Sequence, residues 1–218
     1  MLFEQVRSAD GASGFAVWHI AETEETLRGM LSDAVDVSDV LKARSRARRT
    51  ERLAVRVLLQ LVLGEGHPIG YLPSGRPFLK DGAYQISISH TTHWAALAWD
   101  KEQRVGIDIE RRSDRVLRAA DRFISREERL AANVFGTQPS PEYELLMWST
   151  KESAYKLLDM TGLDLLREIR VVPDNRVGDS GTCALCAKGF RHPLQAQYHF
   201  RPEYVLTVVS SPFLPLQV

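Results

Sequence analysis

Twice along this chain a stretch of helical periodicity gives way to short alternating segments, and that order restricts the fold more than any other feature. In the first batch, Glu22 to Leu31 reads as a short helix. Ser38 to Gly64 reads as a long one, with Ser as an N-cap type and Gly as the stop. Within it Val40, Leu41, Leu53, Val57, Leu58, Leu61 and Val62 recur at helical spacing. Tyr84 to Ser89 then alternates, Trp94 to Trp99 is almost wholly apolar, and Arg104 to Glu110 alternates again. Their short polar connections predict three consecutive strands of an antiparallel meander. In the second batch, Ser125 with Glu128 makes a capping-box pattern, and Ser140-Pro141 opens a helix running to about Asp159, before Gly162. Glu168 to Val172, Thr182 to Ala187, Leu194 to Phe200 and Tyr204 to Val209 follow as β-like stretches. Two successive batches of this kind predict an α+β fold, with the seam near Asp100 to Arg104.

Nothing in the composition asks for an external staple. At 218 residues, with 44% hydrophobic and 26% charged residues, the chain has the makeup of an ordinary globular protein. Its 28 basic and 28 acidic residues cancel, so only the local placement of charge carries information. No apolar run approaches the ~20 residues that span a bilayer, and Met1 to Gly14 lacks the apolar core of a signal peptide. A cytoplasmic protein without a membrane partner is the expectation. Cys183 and Cys186 are too few for a disulfide framework.

The chemistry-bearing segment is Gly106-Ile107-Asp108-Ile109-Glu110. On a strand Ile107 and Ile109 point one way while Asp108 and Glu110 point the other. Two adjacent carboxylates repel, raising one pKa, unless a cation joins them. Magnesium takes one or two carboxylates, keeps waters and completes its shell with phosphate oxygens. A solvated acidic edge would show the same alternation. The second segment is Trp148-Ser149-Thr150-Lys151-Glu152-Ser153-Ala154-Tyr155-Lys156, where Trp148, Glu152 and Lys156 share one helix face. A plain surface Glu–Lys pair is the alternative there.

Two further patterns precede these: Ser74-Gly75-Arg76-Pro77, and Ser87-Ile88-Ser89-His90-Thr91. Their order and separations over Ser74 to Lys156 resemble the Sfp-type branch of the 4′-phosphopantetheinyl transferase superfamily. Its signatures are a G-[KR]-P turn, an N/S-x-S-H strand end, a G-[IV]-D-[IV]-E strand and a W-[ST]-x-K-E-[AS]-x-x-K helix. The resemblance implies two similar α+β halves related by pseudo-twofold symmetry, residues 1–103 and 104–218, with the active site in the cleft between them. It implies transfer of the 4′-phosphopantetheine arm of coenzyme A to a serine of an acyl or peptidyl carrier protein, leaving 3′,5′-ADP. Asp108, Glu110 and Glu152 would then hold Mg2+, Glu152 would be the general base, and Lys156 would neutralise the phosphate under attack. Arg76 and His90 would meet the coenzyme's phosphates, with Gly75, Pro77 and Ser89 shaping the pocket. A monomer is expected from two fused halves. A catalytically silent relative that binds coenzyme A or a carrier is the alternative, although no signature carboxylate or lysine is missing.

Lys42, Arg44, Arg46, Arg48, Arg49, Arg52 and Arg56 crowd one segment, with Lys42, Arg46 and Arg49 read as one helix face. The family uses basic residues in this region for coenzyme phosphates, and Arg49 is the candidate taken from the segment. A solvated face remains open, whereas zero net charge and few nearby aromatics argue against nucleic acid. Cys183-x-x-Cys186 suits zinc in spacing, but His192 and His199 do not, and both thiols are expected near the interior. Trp94 and Trp99 are read as core, His67 and His93 as solvated turn residues.

Overall fold

The computed structural model describes residues 1–113, 116, 118–134, 140–174 and 177–212. The fold is α+β, and the chain divides into two compact units, Met1–Glu102 and Gln103–Val218.

The first unit opens with strands β1 (Leu2–Arg7) and β2 (Ser13–His19), followed by helices α1 (Glu24–Gly29), α2 (Ser38–Leu41) and α3 (Arg46–Leu63). The hairpin β3 (Ile69–Tyr71) and β4 (Pro77–Leu79) comes next, then β5 (Gln85–Thr91) and β6 (Trp94–Asp100). An antiparallel sheet of order β1-β2-β6-β5 packs its Trp18, Ile86, Leu97 and Trp99 side chains with Leu53, Val57 and Leu58 of α3. The expected single helix from Ser38 to Gly64 is instead two. Ser45 breaks it, its hydroxyl accepting from the Arg48 backbone N–H as the N-cap of α3. Lys42 lies before that break, so Lys42, Arg46 and Arg49 do not share a continuous helix face.

The break is held from inside α3. The guanidinium of Arg49 donates to the Ala43 carbonyl, and that of Arg52 to the Asp39 carbonyl. Arg56 is 4% exposed and bonds the Asp39 carboxylate and the Asp36 carbonyl. Removing one partner of a buried pair strands the other's charge. Arg56→Ala is therefore expected to lower unfolding free energy by about 3 kcal/mol, the low end for such pairs because Asp39 keeps some solvent. Urea denaturation read by tryptophan fluorescence checks it; a loss under about 1 kcal/mol would show the guanidinium to be dispensable.

The second unit contains β7 (Arg104–Arg111), a 3-10 turn (Ala120–Arg122), α4 (Arg126–Val134) and α5 (Pro141–Leu158). Strands β8 (Ile169–Pro173), β9 (Ser180–Ala187), β10 (Leu194–Phe200) and β11 (Tyr204–Ser211) complete it. They form one antiparallel sheet of order β7-β11-β10-β9-β8. Here the expected meander fails. β5 and β6 do pair, but β7 leaves them and pairs with β11 along its whole length, Arg104 opposite Ser211 and Arg111 opposite Tyr204. The free edge of β6 is taken by β2, Phe15 opposite Ala98. A hairpin signal fixes only sequence neighbours, and both of these pairings are long-range.

The two helix starts read from sequence form as capped ends. Ser125 and Glu128 exchange backbone and side-chain bonds, and Ser140 caps α5 with Pro141 in its first turn. α5 ends at Asp159, whose φ of 54° is the left-handed stop. The inner residues of α5, Tyr143, Leu146 and Leu157, pack with Phe123, Val171, Leu185 and Val205.

Candidate active site

Gly106, Asp108 and Glu110 lie on the same face of β7, and α5 lies against that face. A Cβ on Gly106 would come within 1.9 Å of the Ser153 carbonyl oxygen and 3.0 Å of Leu157, so only glycine admits the helix. Two residues on, Asp108 accepts from Lys156 Nζ at 2.8 Å; that ammonium also donates to the Ile107 carbonyl at 3.1 Å. Two further on, Glu110 accepts from the Trp148 indole N–H at 3.0 Å. The strand advances ~6.6 Å per two residues and the helix ~6 Å per four, so the two repeats stay in step. This match of periods brings the two signature segments together, with the chain running opposite ways in helix and strand.

Glu152 stands between these contacts. Burial first, then the Asp108 carboxylate, push its carboxyl up to about 7; Lys156 pulls it back and Glu110 adds a smaller push. Three carboxylates and one ammonium thus share one partly desolvated face. Asp108 is 3% exposed, Glu110, Glu152 and Lys156 half-buried. Trp148 also stacks edge-on against Phe123, ring centres 5.0 Å apart, which fixes the indole that holds Glu110.

Among the described residues no three His, Cys, Asp or Glu side chains converge as a ready-made metal shell. Asp108, Glu110 and Glu152 share a face, but Lys156 and Trp148 hold two of them. Their chemistry does fit magnesium, a hard cation content with one or two carboxylates, water and substrate phosphate. The Asp108 and Glu110 carboxylates that add to the burial effect on Glu152 are charge that such a cation would neutralise.

In the first unit Gly75 and Arg76 lie in the turn of the β3–β4 hairpin, and Pro77 opens β4. Gly75 takes φ 90°, its N–H donates to Leu72 O, and Leu72 N–H returns to Arg76 O. Arg76 donates to the Gln85 side chain at 3.2 Å. Ser89 is buried on β5, and His90 follows it. Arg48 donates to His90 Nε2 at 3.0 Å, and Glu51 lies 3.5 Å from Nδ1. Arg49 does not join this group; its Nε donates to both Glu24 oxygens at 3.0 Å. Of the basic residues crowded between Lys42 and Arg56, Arg48 and not the singled-out Arg49 is the one that meets His90. His67 pairs with Asp81 at 2.6 Å, where a solvated turn histidine was expected.

The thiols separate. Cys183 is buried and Cys186 exposed, because a spacing of three residues on β9 puts them on opposite faces; the expectation of two interior thiols is corrected. Both are free. Burial pushes the Cys183 thiol up to about 12. The sequence reading also missed Lys151 and Glu128, a fully buried ion pair beneath α5.

Residues 104–209 match the family model of the 4′-phosphopantetheinyl transferase superfamily, a segment that holds the carboxylate strand, α5 and nearly all of the five-stranded sheet. No curated protein matches the chain at a significant level. Among the described residues no helix is long and apolar enough to cross a membrane.

Proposed function

We propose that this chain, whose residues 104–209 belong to the 4′-phosphopantetheinyl transferase superfamily, moves the phosphopantetheine arm of coenzyme A onto a serine of an apo carrier protein, in the manner of the Sfp-type branch. The family is one of phosphopantetheinyl transferases that use coenzyme A. The observation that carries the finer reading is the α5–β7 face, where a carboxyl poised near 7 stands among Asp108, Glu110 and Lys156.

In this reading Glu152 takes the proton of the carrier serine as its Oγ bonds to the β-phosphorus. Burial and the Asp108 carboxylate raise the basicity of this carboxyl in the metal-free protein, as a general base requires. The bond from the β-phosphorus to the bridging oxygen breaks, and 3′,5′-ADP leaves with the electron pair. Lys156, fixed by Asp108 and the Ile107 carbonyl, places its ammonium towards phosphate oxygens whose charge grows as the bond breaks. Magnesium, held through Asp108, Glu110 and Glu152, would neutralise pyrophosphate and lower the charge density of this face. Gly75, Arg76, Pro77, Ser89, His90 and Arg49 are assigned to the coenzyme; Arg49 serves only by sharing or leaving Glu24.

The test is mass spectrometry of apo carrier proteins incubated with the protein, coenzyme A and magnesium. One added phosphopantetheine per carrier is expected, and excess EDTA is expected to stop it. No transfer to any carrier in a panel spanning fatty acid, polyketide and nonribosomal peptide synthesis overturns the reading. Undiminished transfer in EDTA removes the metal from it.

A further inference from the structure

Lys151 is turned about 100° around α5 from Glu152 and points away from the reactive face. There it is wholly buried against a wholly buried Glu128. Its Nζ donates at 2.9 Å to Glu128 Oε2 and at 2.9 Å to the Leu165 carbonyl. Glu128 in turn accepts from the backbone N–H of Val171 at 2.9 Å and of Ser125 at 2.8 Å. Its own carbonyl accepts from the Tyr143 hydroxyl at 2.6 Å. One side-chain pair therefore ties α5 to the start of α4, to β8 and to the segment that follows α5.

Stability alone does not call for charges here. Apolar residues of similar volume commonly replace such a pair without loss. What an ion pair adds is direction, since Nζ must aim at Glu128 and the Leu165 carbonyl at once. A roll of about 20° carries a side-chain tip at the ~5 Å helix surface by about 2 Å. Displacements of about 1 Å at a reacting group are enough to cost 10²-fold in rate.

We propose that Lys151 and Glu128 are positioning residues that lock the rotation of α5 and thereby hold Glu152 and Trp148 on the β7 face. The inference rests on the transferase reading only for what Glu152 does; the lock itself is a property of the second unit. Neither residue touches substrate, so the effect falls on turnover rather than on coenzyme affinity.

The experiment compares the full chain with Glu128→Gln/Lys151→Met and with Lys151→Arg. Each is labelled with 5-fluorotryptophan, and the Trp148 resonance is assigned by its loss in Trp148→Phe. In the double variant, kcat is expected to fall at least tenfold with the KM for coenzyme A within threefold. The Trp148 resonance is expected to shift or broaden. Lys151→Arg keeps the charge but replaces a compact ammonium with a longer planar fork of fixed directions, and is expected to lose about fivefold in kcat with the same spectral sign. A folded double variant with unchanged kcat and unchanged Trp148 overturns the proposal, leaving the pair a purely structural one. If the double variant does not fold, Lys151→Arg decides by the same two readouts. If the unmutated protein transfers nothing, the function reading fails while the Trp148 resonance still decides the lock.

Discussion

Replacing Glu152 with glutamine is expected to reduce phosphopantetheine transfer by about 10²-fold or more, the loss typical of removing a general base. The same change is expected to make the metal-free protein more stable at pH 8. The sign follows from its raised pKa, about 7 in the folded chain against 4.5 for an unperturbed glutamate. The folded state then binds this proton more tightly than the unfolded state. Its contribution is fully present below about 4.5 and is lost as pH climbs through 7. At pH 8 the ionised carboxylate costs about 1–3 kcal/mol, because each tenfold change in proton affinity is worth about 1.4 kcal/mol and solvent reaches this half-buried group. Glutamine escapes that cost. Thermal melts without magnesium at pH 5 and pH 8 should show Glu152→Gln gaining a few degrees only at the higher pH. An equal gain at both would mean that charge is not the cause, and a near-normal rate would show Glu152 to be structural. Active sites commonly give up stability in this way for function.

Gly106→Ala is expected to be the most damaging substitution of a single small residue in the second unit. The added Cβ meets backbone, the Ser153 carbonyl oxygen at 1.9 Å, and backbone cannot swing aside as a side-chain tip can. Either α5 lifts from β7 or the unit fails to close, at a cost of about 3 kcal/mol or more. Lifting α5 also parts Glu152 and Lys156 from Asp108, so residual folded protein should transfer poorly. Gly178→Ala is the control, since a Cβ there meets nothing within 4 Å. Urea denaturation and transfer assays on the pair decide it. Equal stability of the two variants would show that the β7–α5 approach is not tight.

Much of this site was legible because it is periodic. Asp108 and Glu110 repeat every two residues, Trp148, Glu152 and Lys156 every four, and each pattern names its own element and face. The caps at Ser125 and Ser140 were legible for a similar reason, being local chemistry between residues three apart. What periodicity cannot carry is which strand meets which. β7 follows β6 after three residues and still pairs with β11, and the hairpin of β1 and β2 drew no reading at all. The break before Ser45 was hidden because Lys42-Ala43-Arg44 are good helix formers. Arginines one and two turns along α3 hold it, reaching back to the carbonyls of Ala43 in that stretch and of Asp39 in α2. Lys151 was hidden for the opposite reason. A lysine beside a glutamate reads as surface, and only the closed fold shows the carboxylate of Glu128 waiting inside.

The pairing of β7 with β11 also sets an order of events as the chain is made. Asp108 leaves the ribosome roughly a hundred residues before Thr207, the residue it lies beside in the sheet. The strand pairings described for the first unit, by contrast, all fall within Met1–Glu102, so that sheet can form while the rest is still being synthesised. Until Tyr204–Ser211 arrives, the strand that bears the acidic pair lacks its β11 neighbour, and Ile107 and Ile109 must be kept from other exposed edges. The sheet that carries the reactive face is thus completed late, when the first strand of its unit meets β11. A nascent chain can already carry the carboxylate strand and the Trp148–Lys156 helix segment and still lack the strand that β7 is laid against.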